Sequence, residues 1–145
     1  MRRILVFLLA VLLAASAGSM IQSLVNLQAI AALAGSIATA DQLSTLWFDL
    51  RHFMPVLAAI FLPVMLLSLI AARLLIKHIP VTKAIVVFAV TAIATWTALY
   101  VINQLAPMPT LIALNRTLAG TLMLLACSGI GAIFYHYFSR SRSVA

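Results

Sequence analysis

Glutamate is absent from this chain, and Asp41 and Asp49 are its only acidic side chains. General acid–base catalysis most often draws on a histidine or a carboxylate placed within reach of a reacting group. Neither aspartate stands in a catalytic pattern with a histidine within an apolar run. HExxH, CxxC, a P-loop and GxSxG are missing too. The single cysteine, Cys127, lies in an apolar run, so it closes no intrachain disulfide and offers no metal framework. With no carboxylate inside an apolar run, the chain also lacks what a proton-coupled exporter of the small four-helix type needs. No enzymatic role is expected, and no cofactor.

Charge of either sign is scarce. Only 8% of the 145 residues are charged and 66% are hydrophobic, against roughly 25% charged in soluble domains. A water-soluble fold of this size cannot hide so much apolar surface. The length accommodates about four helices of about 20 residues, the span of a bilayer's hydrocarbon core. The expected fold is all-α: one integral membrane domain, a four-helix bundle with spans over residues 4–33, 53–78, 82–104 and 110–138. Connections this short make sequential helices antiparallel neighbours. A short interfacial helix is expected over Asp41 to Leu50, between the first two spans, with Trp47 at a level suited to the membrane surface. Pro55 falls in the first turn of the second span, and Pro63 in its interior, where it removes a backbone hydrogen bond.

The net charge of +7 does not point to nucleic acid. The basic residues form no run longer than two and sit at the ends of apolar segments. Arg2, Arg3, Arg73, Lys77, Lys83, Arg140 and Arg142 fall on one side of the expected membrane, and Arg51 and Arg116 on the other. Seven against two is a positive-inside signal. It places both termini in the cytoplasm, with the long first loop and the loop around Pro107 on the outer side. For a bacterial protein the location is the inner, cytoplasmic membrane, multi-pass.

Ala15-Ser16-Ala17 has the small-residue form of a signal-peptide cleavage site. Cleavage there leaves three spans and is compatible with the remaining charge bias. The helical rhythm nevertheless continues past Ala17, and the retained first helix is the expectation. Ser16, Ser19, Ser23 and Asn26 recur at intervals of three and four along one side of it, with Gln22 beside them. Weakly polar side chains in a span prefer the bundle interior to lipid. Two readings follow: hydrogen-bonding glue between helices, or the lining of a ligand or ion path. Thr91 and Thr95 lie one turn apart on the third helix. Gly129 belongs to a run of small residues on the fourth. All three are packing candidates.

At the outer ends, Asp49, Arg51 and His52 precede the second span, and Asn115 and Arg116 lie near the start of the fourth, at a depth similar to that of Gln22 and Asn26. Arg116 is expected to pair with Asp49 or to reach a lipid phosphate, since a guanidinium suits bidentate phosphate contact. Gln22, Asn26, Asp49, Arg51, His52, Asn115 and Arg116 are therefore the candidate ligand or lipid contacts. His52 belongs to the outer side, while His78 and His136 close the second and fourth helices on the inner side, so only the latter pair lies at one level. Membrane haem needs axial ligands facing each other within the bundle, and histidines at helix ends are more often interfacial, so no haem is expected.

Three stretches, GSMIQSLVNLQAIAAL, DLRHFMPVLAAIFLPVMLLSLIAA and NRTLAGTLMLLACSGIGAIF, resemble a group of small uncharacterised four-helix inner-membrane proteins of proteobacteria. The resemblance covers most of the chain and implies location and topology without adding chemistry. The expected function is that of a non-enzymatic membrane subunit that contacts lipids and assembles with itself or a larger membrane protein. The alternative is an oligomeric transporter or channel with a path along Ser19, Gln22, Asn26 and Thr95.

Overall fold

The computed structural model of the protein describes residues 1–35, 38–78, 80–105 and 112–139. The loop around Pro107, the expected onset of the fourth span at Thr110, and Arg140 and Arg142 lie outside the described residues. Four long α-helices carry the chain: α1 (Arg2–Ala34), α2 (Thr39–Leu75), α3 (Lys83–Leu105) and α4 (Leu118–Phe138), with a short 3-10 helix, Ala113–Arg116, before the last. All four are long and apolar enough to cross a membrane. Leu8, Leu12, Leu67, Ile93, Trp96, Leu122 and Ile130 stand exposed on the outside of the bundle. Helices apolar on nearly every side are what a lipid solvent selects.

Each helix packs on its neighbours in sequence, and α4 closes the ring against α1, with little contact across the α2–α4 diagonal. The neighbours are antiparallel. Along α1 and α2, Ser23 meets Asp49 and Gly18 faces Leu57. Along α3 and α4, Thr95 meets Ser128 and Phe88 lies over Gly129. Ala10, Val11, Ala14 and Ala15 of α1, Leu57, Phe61 and Met65 of α2, Val87 and Leu99 of α3, and Leu124 and Ala132 of α4 form the core.

Two boundaries differ from expectation. No break separates an interfacial helix over 41–50 from the second span, because α2 runs continuously over Thr39–Leu75. No glycine or proline interrupts residues 39–54, and Pro55, now well inside the helix, denies a partner only to the carbonyl one turn earlier. At the other boundary, α4 begins at Leu118. The Thr117 side chain accepts a hydrogen bond from the Gly120 amide at 3.0 Å, the arrangement that starts a helix.

Helix lengths are unequal, and this matters for function. The 33 residues of α1 and 37 of α2 span about 50 and 55 Å at 1.5 Å per residue. The 23 residues of α3 and 21 of α4 span about 35 and 32 Å, close to the ~30 Å of a hydrocarbon core. The ends near Arg2 are level, since the Arg2 guanidinium donates to the Phe138 carbonyl oxygen at 3.4 Å. The surplus of α1 and α2 therefore accumulates at the opposite end, where α1 closes at Gly35 with φ of 89°, a left-handed conformation that glycine adopts without strain.

Candidate functional site

Polar side chains occupy three levels of this apolar bundle. At the first, toward the projecting end, Ser23 is fully buried and Ser19 nearly so. Ser23 Oγ donates to Asp49 Oδ2 at 2.6 Å and lies 3.0 Å from the Ser19 carbonyl. Ser19 Oγ donates to the Asp49 backbone carbonyl at 3.3 Å. Two α1 hydroxyls one turn apart thus grip one α2 residue through its main chain and its side chain. Gln22, 7% exposed, has its Oε1 enclosed with no hydrogen-bond partner among the described residues. Ser16 and Asn26 are half-buried at the two ends of the stripe.

The second level joins the other helices. Ser68 on α2 and Thr91 on α3 have hydroxyls 3.0 Å apart. One turn away, Thr95 Oγ1 donates to Ser128 Oγ at 2.8 Å, and Ser128 donates on to the Leu125 carbonyl at 3.0 Å. All four side chains are buried. Gly129, beside Ser128, accepts the ring of Phe88, which a Cβ would meet at 2.5 Å.

The third level lies at the flush end. Arg3 of α1, Arg73 of α2, Lys83 of α3 and the Tyr135, His136 and Ser139 positions at the end of α4 line one cavity of ≈ 330 Å³. Arg73 Nη2 donates to the Tyr135 hydroxyl at 3.2 Å, and the Tyr135 ring is braced edge-on by Phe7, 5.8 Å away. An apolar groove of ≈ 160 Å³ shares Arg3, Arg73 and Tyr135 and runs past Phe7, Leu66 and Ile70 between α1 and α2.

The sequence-selected outer cluster comes together only in part. Asp49 lies within α2, and Ser23 engages its carboxyl group. Arg51 projects outward with its guanidinium 5.6 Å from the Trp47 ring centre. His52 stacks on Phe48 at 4.1 Å and contacts the Phe48 carbonyl through Nδ1. Both therefore make contacts along their own helix. Asn115 Oδ1 accepts from Thr121 Oγ1 at 2.8 Å, and Arg116 closes the 3-10 turn.

The sequence reading treated Arg3, Arg73 and Lys83 only as orientation charges. The signal for their meeting was available: in an antiparallel bundle the start of α1, the end of α2, the start of α3 and the end of α4 share one level. His78 is exposed in the turn after α2, while His136 reaches the cavity. Among the described residues, no group of three or more His, Cys, Asp or Glu is placed to hold a metal ion. No family model, curated protein or solved structure matches the chain.

Proposed function

We propose that this protein is a non-enzymatic subunit of an inner-membrane assembly, with both termini cytoplasmic, joined to copies of itself or to a larger membrane protein and surrounded by lipid. The observation that carries this reading is the projecting α1–α2 hairpin. It holds Ile30, Leu33, Leu43, Trp47 and Phe48 exposed on helical turns that α3 and α4 are too short to cover. Apolar side chains clustered beyond the reach of the bundle mark a surface that another molecule buries. The Ser19, Ser23, Ser68, Thr91, Thr95 and Ser128 hydroxyls support the same reading, since their hydrogen bonds act as ties between helices.

Native mass spectrometry of the full chain in mild detergent tests the proposal. The expected species holds more than one protomer or a co-purifying membrane chain. Leu43→Lys combined with Phe48→Lys is expected to release single protomers without changing thermal stability. A wild-type protein that is a lone protomer under every mild condition would sink the reading.

A second reading, an oligomeric transporter or channel with a path along α1, is favoured by one observation, the enclosed Gln22 Oε1, which has no hydrogen-bond partner among the described residues. Cysteines introduced as Ser19→Cys and Asn26→Cys separate the two. Rapid labelling of both by a water-soluble thiol reagent supports a path; protection of Ser19→Cys supports dry packing.

A further inference from the structure

We infer that the cavity at the flush end of the bundle is a binding site for an anionic glycerophospholipid, its phosphate held by Arg3, Arg73 and Lys83 and one acyl chain laid in the α1–α2 groove. This inference rests on the membrane location and is independent of the assembly reading.

Three basic side chains from three helices line one cavity of ≈ 330 Å³. None of its lining residues is acidic, and the Asp49 carboxyl group is committed to Ser23 at the other end of the chain's helices. Like charges brought together at the edge of a low-dielectric slab repel one another unless a counter-charge sits between them. A basic pocket between membrane helices at the headgroup level is suited to an anionic lipid head. Arg73 is set for this role because its Nη2 donates one N–H to the hydroxyl of Tyr135, whose ring Phe7 braces, and a guanidinium has five N–H donors with which to reach a phosphate oxygen as well.

The groove decides between a lipid and a free phosphoester. From Arg3 it continues to Phe7, one turn deeper along α1, and from Arg73 to Ile70 and Leu66, one and two turns deeper along α2. It thus leads away from the charges into the hydrocarbon, with an almost wholly apolar wall. A soluble phosphate uses the cations alone; a phospholipid uses cations and groove together.

The test uses the full-length protein in nanodiscs and in mild detergent, with phosphatidylglycerol as the anionic probe and phosphatidylcholine as the zwitterionic one. Native mass spectrometry is expected to show phosphatidylglycerol retained in preference to phosphatidylcholine. Removing one cation near a membrane surface weakens anionic-lipid attraction about fivefold. Retention is therefore expected to fall about fivefold in Arg73→Gln and again in Lys83→Gln. Lys77→Gln, which removes a charge from the same end outside the cavity, is expected to have no such effect. Arg73→Lys keeps the charge and is expected to retain most of the lipid, which guards against a folding defect in Arg73→Gln. Equal retention of the two lipids, or an effect of Lys77→Gln as large as that of Arg73→Gln, overturns the site. Displacement of the bound lipid by millimolar glycerol 3-phosphate overturns the lipid assignment and makes the cavity a site for a soluble phosphoester.

Discussion

Ser23 illustrates how much one hydroxyl can matter inside an apolar helix bundle. Its Oγ lies within bonding distance of both the Asp49 carboxyl oxygen and the carbonyl of Ser19. Without it, a carboxyl group packed against α1 loses its side-chain donor. A hydrogen bond to a carboxylate is worth about 1.5–3 kcal/mol, so Ser23→Ala is expected to cost about 2 kcal/mol in a reversible detergent-unfolding titration. Thr95→Val is the useful contrast. It removes the bond to Ser128 but leaves a neutral hydroxyl that still reaches the Leu125 carbonyl. Interhelical bonds of this kind average about 0.6 kcal/mol in membrane proteins. The same titration is expected to rank Ser23→Ala well above Thr95→Val; equal costs would show that Asp49 draws little from α1. Small polar residues at helical spacing were legible in the sequence as an inner face. Their partner was not, because Asp49 was assigned to a short interfacial helix ahead of the second span.

Among the elements, α1 and α4 approach closely at Gly131. A Cβ added at Gly131 would sit 2.9 Å from the Ala14 Cβ and 3.0 Å from the Ala10 carbonyl oxygen, so the two helices touch almost backbone to backbone. Small residues at such contacts give membrane helices their van der Waals attraction in the absence of a hydrophobic drive between them. Gly131→Val must push the helices apart. Overpacking typically costs about 1–3 kcal/mol, and the expected outcome is a lowered midpoint in thermal unfolding, with a smaller drop for Gly131→Ala. Ala14 and Ala15 were legible as small residues that allow a close neighbour, and the fourth helix as a run of small side chains. That these two runs face each other follows only from the ring closing between α1 and α4.

For α2 the sequence suggested two pieces and the fold has one. Asp49, Arg51 and His52 look like a polar interruption, but each is accommodated on a continuous helix. Asp49 turns inward to α1, while Arg51 lies along Trp47 and His52 along Phe48 on the outside. Such intrahelical contacts are neighbours at spacing four and carry no signal distinguishable from a loop in composition alone.

At the scale of the whole molecule, charge and length divide the bundle into two unlike ends. The flush end gathers Arg2, Arg3, Arg73, Lys77 and Lys83; the projecting end carries the longer α1 and α2. Positive residues are retained on the cytoplasmic side during insertion, so a reporter that is active only in the cytoplasm is expected to be active when fused to the C-terminus. A fusion in the connection between α1 and α2 is expected to be silent. The reverse pattern would exchange the two ends and place the cationic cavity at the outer leaflet.

Hydrophobic content and the spacing of charges sufficed to determine four helices long and apolar enough to cross a membrane. Both are properties of composition along the chain, and a span of about 20 apolar residues has few other uses. Tertiary structure alone decided what the polar residues do. Ser19 and Ser23 acquire Asp49, Thr95 acquires Ser128, and Arg3, Arg73 and Lys83 come to share a cavity, because antiparallel packing brings residues distant in sequence to the same depth. The projecting hairpin belongs to the same category. It exists because α1 stays helical for about three turns and α2 for about four beyond the level at which their neighbours stop, at 3.6 residues per turn, a comparison of lengths that requires the helices to be aligned at their other ends.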